Sequence, residues 1–292
     1  MTNSGWHWLF SYQYNRGEDL ICLGLENPLT PRRKIVPDEH GDRRPLLSTI
    51  LWISMLSGLF GGCTGWPQAR LDAYLGQQPA RDPSRLAELS GVVQAGLVMI
   101  NDTTAPGSAP KLSEASFASL TEHVQKQLMH AAPVEVVRLV HSSNPATSLR
   151  NFAAVLQWGQ DQRVEYLVLV ILSSAEIEVP ERFPWRGSTL GAIARGLLLG
   201  YRAENLALAE LALIDVRAGH VLARVEGYAW ASLDRLDVPL ESNVYPMVRR
   251  NLEDPPIYPE KEEDAHDVMR AVAGGDAIDQ AVLHLKEAWG RS

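Results

Sequence analysis

Residues 164–179, VEYLVLVILSSAEIEV, form the stretch around which the fold of this chain is predicted. The six residues from Leu167 to Leu172 are all apolar, and three of them are β-branched. An apolar run of this length and composition is typical of a strand that is buried on both faces. We therefore predict that this segment is a strand in the middle of a sheet.

The sequence before this strand predicts two strands that alternate with two helices. Residues 91–102 and 133–140 have the apolar runs of strands. Between them, Ser113 is suited to cap a helix over residues 114–131. After the second strand, Asn144 and Pro145 combine a capping residue with a proline at the first helical position, which predicts a second helix.

The sequence after the central strand predicts a hairpin and then a helical end. Residues 180–204 are interpreted as a long connection. Residues 205–216 and 220–232 have strand patterns on either side of Arg217-Ala218-Gly219, which predicts an antiparallel hairpin. Two helices are predicted at about 262–272 and 276–289. The predicted fold class is α/β, a two-layer α/β sandwich with a mixed sheet (β-α-β-α-β, then a β-hairpin) and C-terminal helices.

Composition excludes several classes of protein. The 292 residues carry a net charge of -8, which gives no support for a nucleic-acid binder. The chain has two cysteines, Cys22 and Cys63, too few for a disulfide framework or a thiolate metal site. No cofactor and no metal site are predicted.

A segment that resembles a bacterial lipoprotein signal precedes Cys63. Arg43-Arg44 forms a basic region, residues 45–60 form an apolar region, and Phe60-Gly61-Gly62-Cys63 looks like a lipobox. Small residues allow the backbone to enter a peptidase cleft, and a thiol can accept a diacylglyceryl group. The resemblance implies cleavage between Gly62 and Cys63 and lipidation of Cys63. A buried core helix or a single membrane anchor would also account for the apolar run.

The position of this signal leads to a predicted domain organisation. Residues 1–42 are interpreted as an extension with two explanations: either the start is misassigned and the true start lies downstream, for example near Val36, or Met1 is genuine and the region before the signal is unusually long. Residues 43–62 are the signal segment, 63–90 a tether, 91–235 the α/β domain, and 236–292 a polar linker with C-terminal helices. Thr64 follows the lipidation site, and by enterobacterial sorting this implies the outer membrane, facing the periplasm, with the inner membrane as the alternative.

Residues 63–235 resemble envelope lipoproteins with an anticodon-binding-like α/β domain, such as those of the curli-channel and penicillin-binding-protein-activator type. The lipobox, the tether, the strand order and the hairpin ALIDVRAGHVLAR carry this resemblance. Gly191-Ala192, the segment 202–205 and Asp215-Val216 further resemble the rhombotarget lipoproteins. The resemblance implies a periplasmic binding or assembly role rather than catalysis.

No catalytic motif occurs in the sequence. The metalloprotease, nucleophile-elbow, phosphate-loop and CxxC spacings are all missing from it. Two positions keep a periplasmic hydrolase open as an alternative: the segment His141-Ser142-Ser143, and Asp102 at the end of the first strand. His123 and His130 are interpreted as surface histidines, Asp215 as a turn residue, and the acidic segment 260–267 as a solvated helix start.

One apolar segment stands out as a candidate interaction surface. It follows the central strand, and its members are Trp185, Arg186, Leu190, Ile193, Leu197, Leu198 and Tyr201. Exposed apolar patches mark sites of interaction, although packing in the core would explain the same composition. We expect a non-catalytic, lipid-anchored envelope module whose partner is an envelope protein or a second copy. A lipid or small-ligand carrier is the other alternative.

Overall fold

The computed structural model describes residues 66–77, 86, 89, 91–140, 149, 151–189, 192–237, 245–251 and 253–290. Within these ranges, the side chains of residues 140, 184–189 and 192–196 are outside the description. The described residues all belong to one unit, Gly62–Ser292. Its elements are α1 (Leu71–Leu75), β1 (Val93–Asn101), α2 (Glu114–Ala131), β2 (Val134–Val140), α3 (Phe152–Asp161), β3 (Tyr166–Thr189), β4 (Ala192–Asp215), β5 (His220–Leu236), β6 (Met247–Arg249), a short 3-10 helix (Glu262–Asp264) and α4 (Ala265–Gly290).

The six strands form one mixed sheet in the order β2-β1-β3-β4-β5-β6. Strand β1 is parallel to β2 and to β3, whereas β3, β4, β5 and β6 pair antiparallel. The predicted α/β class and mixed sheet are therefore confirmed. The run from Leu167 to Leu172 lies in the third strand of the sheet and is buried, as predicted.

Helices cover both faces of the sheet. On one face, called here the α4 face, alternate strand residues such as Val170 pack with Val124 of α2 and Ile278 of α4. On the opposite face, the α1 face, Leu169 packs with Leu75 of α1 and Val155 of α3. The prediction of only two layers is not confirmed, because α1 and α3 add helices on the second face.

Local sequence signals correctly predicted the N-cap of α2 and the turn between β4 and β5. The Ser113 hydroxyl accepts a hydrogen bond from Ser116 N at 3.1 Å and caps α2. Between β4 and β5, Gly219 has a φ of 67° and donates its N–H to the Asp215 carbonyl at 2.9 Å. The Asp215 carboxylate accepts from Ala218 N at 2.7 Å, so this residue has the predicted turn role.

The interpretation of residues 180–204 as a connection is wrong. Apart from residues 190 and 191, which lie outside the described residues, they belong to β3 and β4, which pair without interruption from Tyr166↔Asp215 to Thr189↔Ala192. Pro180 and Pro184 lie in this segment, and proline is compatible with an edge strand, since its missing N–H is not needed there. The chain therefore contains a second and longer hairpin.

The prediction of two C-terminal helices is also wrong, because α4 continues through Gly274-Gly275. Glycine weakens a helix by about 1 kcal/mol relative to alanine, which suggested a break. Here a Cβ on Gly274 would lie only 3.1 Å from Leu172 and 3.3 Å from Leu120. Close packing against β3 and α2 explains a glycine at this position inside one continuous helix.

The start of α3 differs from the predicted one. Asn144 and Pro145 lie outside the described residues. The described helix begins at Phe152, and the Asn151 carboxamide oxygen caps it by accepting from Ala154 N at 2.8 Å. Two asparagines near this helix have capping character, and the structure shows the second of them in that role.

Candidate functional site

Strands β3 and β4 extend beyond their neighbours and form a two-stranded arm, defined here as residues 180–201. The pairing of β1 with β3 ends at Asn101↔Leu172, and the pairing of β4 with β5 ends at Gly200↔Leu236. The described helices that build the two cores pack against the inner part of the sheet, so the arm projects from the body of the protein.

One face of the arm exposes large apolar side chains. Leu197 is 63% exposed and Leu199 is 58% exposed. In the ladder with β3, Leu197 pairs with Pro184 and Leu199 pairs with Arg182, two residues apart, so both leucines share one face. Tyr201, on the same face, is half-buried. This face continues the α4 face beyond the helices.

The free edge of β3 in the arm is unsuited to strand pairing. Pro180 and Pro184 have no N–H to donate, yet both lie within the continuous ladder with β4. Proline at such positions blunts an edge against the addition of another strand. A partner is therefore not expected to add a strand at the β3 edge of the arm.

Side-chain contacts brace the arm at its base. The Phe183 ring is buried and lies 5.2 Å from the Tyr245 ring. A Cβ on Gly200 would lie 2.7 Å from Phe183, so only glycine leaves room for this ring. The Arg202 guanidinium donates to both oxygens of Asp234, at 2.7 and 3.1 Å. These contacts give the arm a fixed direction.

A second apolar surface lies on the α1 face where β3 and β5 leave the cover of the helices. We call it the outer patch: Ile177, Val179, Tyr228 and Trp230, all exposed. Trp230 pairs with Leu206 on β4, and Leu206 pairs with Ala175 on β3, so strand β4 lies between the β3 and β5 residues of the patch. These residues were not predicted as a surface, although the alternation Glu176-Ile177-Glu178-Val179 is a strand signal.

Asp102, one of the two hydrolase candidates, is a structural residue. It is 2% exposed, and its carboxylate accepts four hydrogen bonds: from Arg70 Nε at 3.1 Å, Tyr74 OH at 3.0 Å, Thr104 N at 2.8 Å and Thr104 Oγ1 at 2.6 Å. Burial alone would raise the pKa of Asp102, but these hydrogen bonds outweigh it and lower the pKa. The Asp102 carboxylate thus holds α1 against the sheet. The other hydrolase candidate, His141-Ser142-Ser143, lies outside the described residues.

Glu210 is a second buried carboxyl that holds the same helix. It is 5% exposed, and its Oε2 accepts from Leu71 N at 3.0 Å and from Arg70 N. Burial raises the pKa of Glu210, and these backbone donors partly oppose the shift. Helix α1 is therefore tied to the α1 face by two carboxyl groups as well as by its buried Leu71, Tyr74 and Leu75.

A groove of about 340 Å³, lined by both apolar and charged side chains, runs between α2 and α4. The His123 Nε2 atom lies 2.7 Å from Asp279 Oδ1, so this histidine links the two helices, whereas His130 is exposed. Burial raises the pKa of the neighbouring Asp276, although Arg250 opposes the shift. In the part of the chain that the structure describes, no group of three His, Cys, Asp or Glu side chains is placed to hold a metal ion.

The residues predicted for the interaction surface and for the lipidation site fall into three groups. Leu197, Leu198 and Tyr201 lie on β4, with Leu198 facing the side opposite to the other two. Trp185, Arg186 and Ile193 lie in the β3–β4 ladder by their backbone. Leu190, Gly62 and Cys63 are outside the described residues.

No family model matches the chain. No curated protein matches it either. Among solved structures, the hypothetical protein CT253 from Chlamydia trachomatis is similar with a TM-score of 0.33 and 12% identity, over 70% of this chain and 100% of that one. A PelC dodecamer from Paraburkholderia phytofirmans gives a TM-score of 0.27 and 14% identity, over 71% of this chain and 92% of that one. TM-scores this low carry no functional argument.

Among the described residues, no helix combines the length and apolar character that crossing a membrane requires.

Proposed function

We propose that this chain is a non-catalytic lipoprotein of the bacterial envelope that binds a protein partner through the exposed apolar face of its arm. The observation that carries the proposal is the pair Leu197 and Leu199, which are more than half exposed on a strand that leaves the body of the protein. Exposing two leucines of the arm to water is unfavourable in free energy. Burying them against a partner would be favourable by a similar amount.

The anchor in this proposal is a diacyl or triacyl group on Cys63, after cleavage at Gly62. Its support is the basic and apolar segment before Phe60-Gly61-Gly62-Cys63, which resembles a lipobox. Two acyl chains suffice for stable attachment, at roughly 0.8 kcal/mol per buried methylene. We place the protein on the outer membrane, facing the periplasm. The resemblance to anticodon-binding-like envelope lipoproteins, and to rhombotarget lipoproteins, stays a prediction.

The charge of the arm indicates the chemistry of the partner. The arm contains Arg182, Arg186 and Arg195 against a single carboxylate, Glu181, on a chain whose net charge is -8. A surface that is apolar at its centre and acidic at its rim would complement the arm. An envelope protein of that kind is the partner that we propose.

The described structure favours neither alternative. A hydrolase that used Asp102 would need its carboxylate to be available, but this carboxylate already accepts four hydrogen bonds. The other hydrolase candidate, His141-Ser142-Ser143, lies outside the described residues. A carrier would need an enclosed apolar cavity. The groove between α2 and α4 is open to solvent and has charged side chains, including Arg250 and Asp276, in its lining.

The test is site-specific photo-cross-linking in native membranes. A photoreactive amino acid replaces Leu197 in the full chain, and a matched variant carries it at Leu283, an exposed leucine on α4. We expect Leu197 to form one adduct of defined mass with an envelope protein, and Leu283 to form none. In the same preparation, the intact mass of the uncross-linked protein is expected to equal residues 63–292 plus acyl chains.

Two results would overturn the proposal. A mass that includes residues 1–62 without lipid removes the anchor. Absence of the Leu197 adduct, or the same adducts from Leu197 and Leu283, removes the arm as the binding surface. An adduct of twice the chain's mass would replace an envelope partner with self-association.

A further inference from the structure

We infer that the outer patch lies against the lipid surface to which Cys63 is attached, so that the domain rests on the membrane in one orientation. This inference rests on the lipidation proposed above. It adds a second contact, formed by Ile177, Val179, Tyr228 and Trp230, and it assigns the α1 face to the membrane and the arm's Leu197 face to the periplasm.

The path of the chain near its anchor supports this orientation. Leu71 N is bound by Glu210, which lies opposite Ile171 in the sheet. Three residues earlier, the Gln68 carbonyl accepts a hydrogen bond from Ser173 Oγ at 3.2 Å. Ser173 is two residues further along β3 than Ile171, so the chain, followed backward, moves along the α1 face toward the outer patch.

The remaining length to the anchor is short. Five residues separate Gln68 from Cys63, which span at most about 18 Å when fully extended. Along β3, Ser173 is four residues from Ile177, or about 14 Å. The acyl chains on Cys63 are therefore held within reach of the outer patch.

The docking of α1 removes the freedom that a tether would give. The region 63–90 was predicted as a spacer, but Leu71, Tyr74 and Leu75 within it are buried. Asp102 and Glu210 hold the same helix through hydrogen bonds. Only residues 63–67 precede the first described contact with the sheet, so the domain cannot stand far from the bilayer.

The side chains of the patch suit a membrane interface. Tyrosine and tryptophan are enriched at the headgroup level, because their rings are apolar at one end and polar at the other. Tyr228 and Trp230 provide such rings, and Trp66, which is 70% exposed, follows the anchor by three residues. Leu197 lies on the opposite face of the sheet and stays available to a protein partner.

The charges around the patch indicate which lipid it prefers. Glu204 is exposed and pairs with Ile177, whereas Arg202 beside Val179 is already bound to Asp234. Glu204 lies on β4 between Ile177 of β3 and Trp230 of β5, so this negative charge is inside the patch rather than at its rim. We expect contact with zwitterionic lipid, weakened when anionic lipid is added at low salt.

The experiment measures the environment of single probes on the acylated protein, residues 63–292. Cleavage at Gly62 removes Cys22 and lipid consumes Cys63, so one introduced cysteine can carry an NBD fluorophore. Ile177→Cys and Trp230→Cys place the probe on the patch. Met129→Cys, exposed on α2 over the α4 face, is the matched control. Each protein is reconstituted in phosphatidylcholine vesicles with or without doxyl-labelled phosphatidylcholine, and circular dichroism verifies its fold.

We expect the NBD emission at Ile177 and Trp230 to shift to the blue and to be quenched by doxyl lipid several-fold more than at Met129. Equal quenching at all three positions, in protein whose mass shows the acyl chains, would overturn the membrane contact and leave the anchor intact. A blue shift without quenching would also overturn it, since the patch would then be covered by protein. A mass without acyl chains would overturn the anchor itself, and this inference with it.

Discussion

At the scale of single residues, Asp102 decides how the chain near the anchor is held. Asp102→Asn keeps the shape but exchanges an acceptor oxygen for an N–H donor, which would face one of the donors Arg70, Tyr74 or Thr104. We expect the free energy of unfolding at neutral pH to fall by about 1–3 kcal/mol, the cost of a buried polar group without a proper partner. Urea denaturation measures this change.

The same substitution has a pH dependence with a definite sign. The pKa of Asp102 is lowered below its ordinary value of 3.8, so its ionised form stabilises the fold above that value. This contribution is lost as the pH falls through the lowered pKa. The difference between wild type and Asp102→Asn should therefore shrink as the pH falls below 3.8. Asp161→Asn, at the exposed end of α3, serves as the control, and a difference that is constant with pH would contradict the assignment.

At the scale of elements, the contact of α4 with β5 depends on the absence of a side chain at Gly227. A Cβ there would clash with the Ala277 carbonyl oxygen and lie 2.5 Å from Ala281 N. Both are backbone atoms of α4 and cannot move alone. We expect Gly227→Ala to destabilise the protein by about 1–3 kcal/mol, the usual cost of overpacking. Thermal unfolding provides the measurement.

A glycine within α4 provides the control. In Gly275→Ala, the new Cβ would lie 3.6 Å from Leu120, which is ordinary contact. Because alanine is the better helix former, this variant should gain up to about 1 kcal/mol. If both alanine variants changed stability in the same direction, close packing of α4 on Gly227 would not be the cause.

At the scale of the whole molecule, the arm is expected to contribute to binding but little to stability. Among the residues with described side chains, neither core includes one from the outer arm beyond Phe183. Replacing residues 184–197 by Asn-Gly would join the paired residues Phe183 and Leu198 through a two-residue turn. We expect the melting temperature to change by no more than about 3 °C.

The shortened protein also separates the two proposed surfaces. It should lose the partner that cross-links at Leu197 while the probe at Ile177 keeps its contact with lipid, since the outer patch lies outside the deletion. Because Leu197 is deleted, the photoreactive amino acid is placed at Leu199, which the variant retains and which is also exposed in the wild type. Cross-linking from Leu199, the lipid probe at Ile177 and differential scanning calorimetry measure these properties on the shortened protein. Failure of the shortened chain to fold would show that the arm belongs to the folding core.

The sequence identified several apolar residues of the candidate site but did not predict the strands on which they lie. The apolar residues Leu197, Leu198 and Tyr201 were selected, yet their segment was interpreted as a connection. Proline and glycine are loop signals locally, and only the continuous pairing of β3 with β4 shows that they lie in an edge ribbon. Tyr228 and Trp230 were not selected, because exposure depends on where α1 and α4 end and not on the residues themselves.

By itself the sequence determined which inner segments are strands, the buried run from Leu167 to Leu172, the Ser113 cap and the turn at Gly219. Each of these depends on interactions or patterns among residues near in the chain. Only the tertiary structure decided that α4 is one helix and that Asp102 holds α1 against the sheet. These features depend on contacts between distant residues, such as Asp102 with Tyr74 and Gly274 with Leu172. Packing of this kind overrides local propensity, which is worth only fractions of a kcal/mol to about 1 kcal/mol per residue.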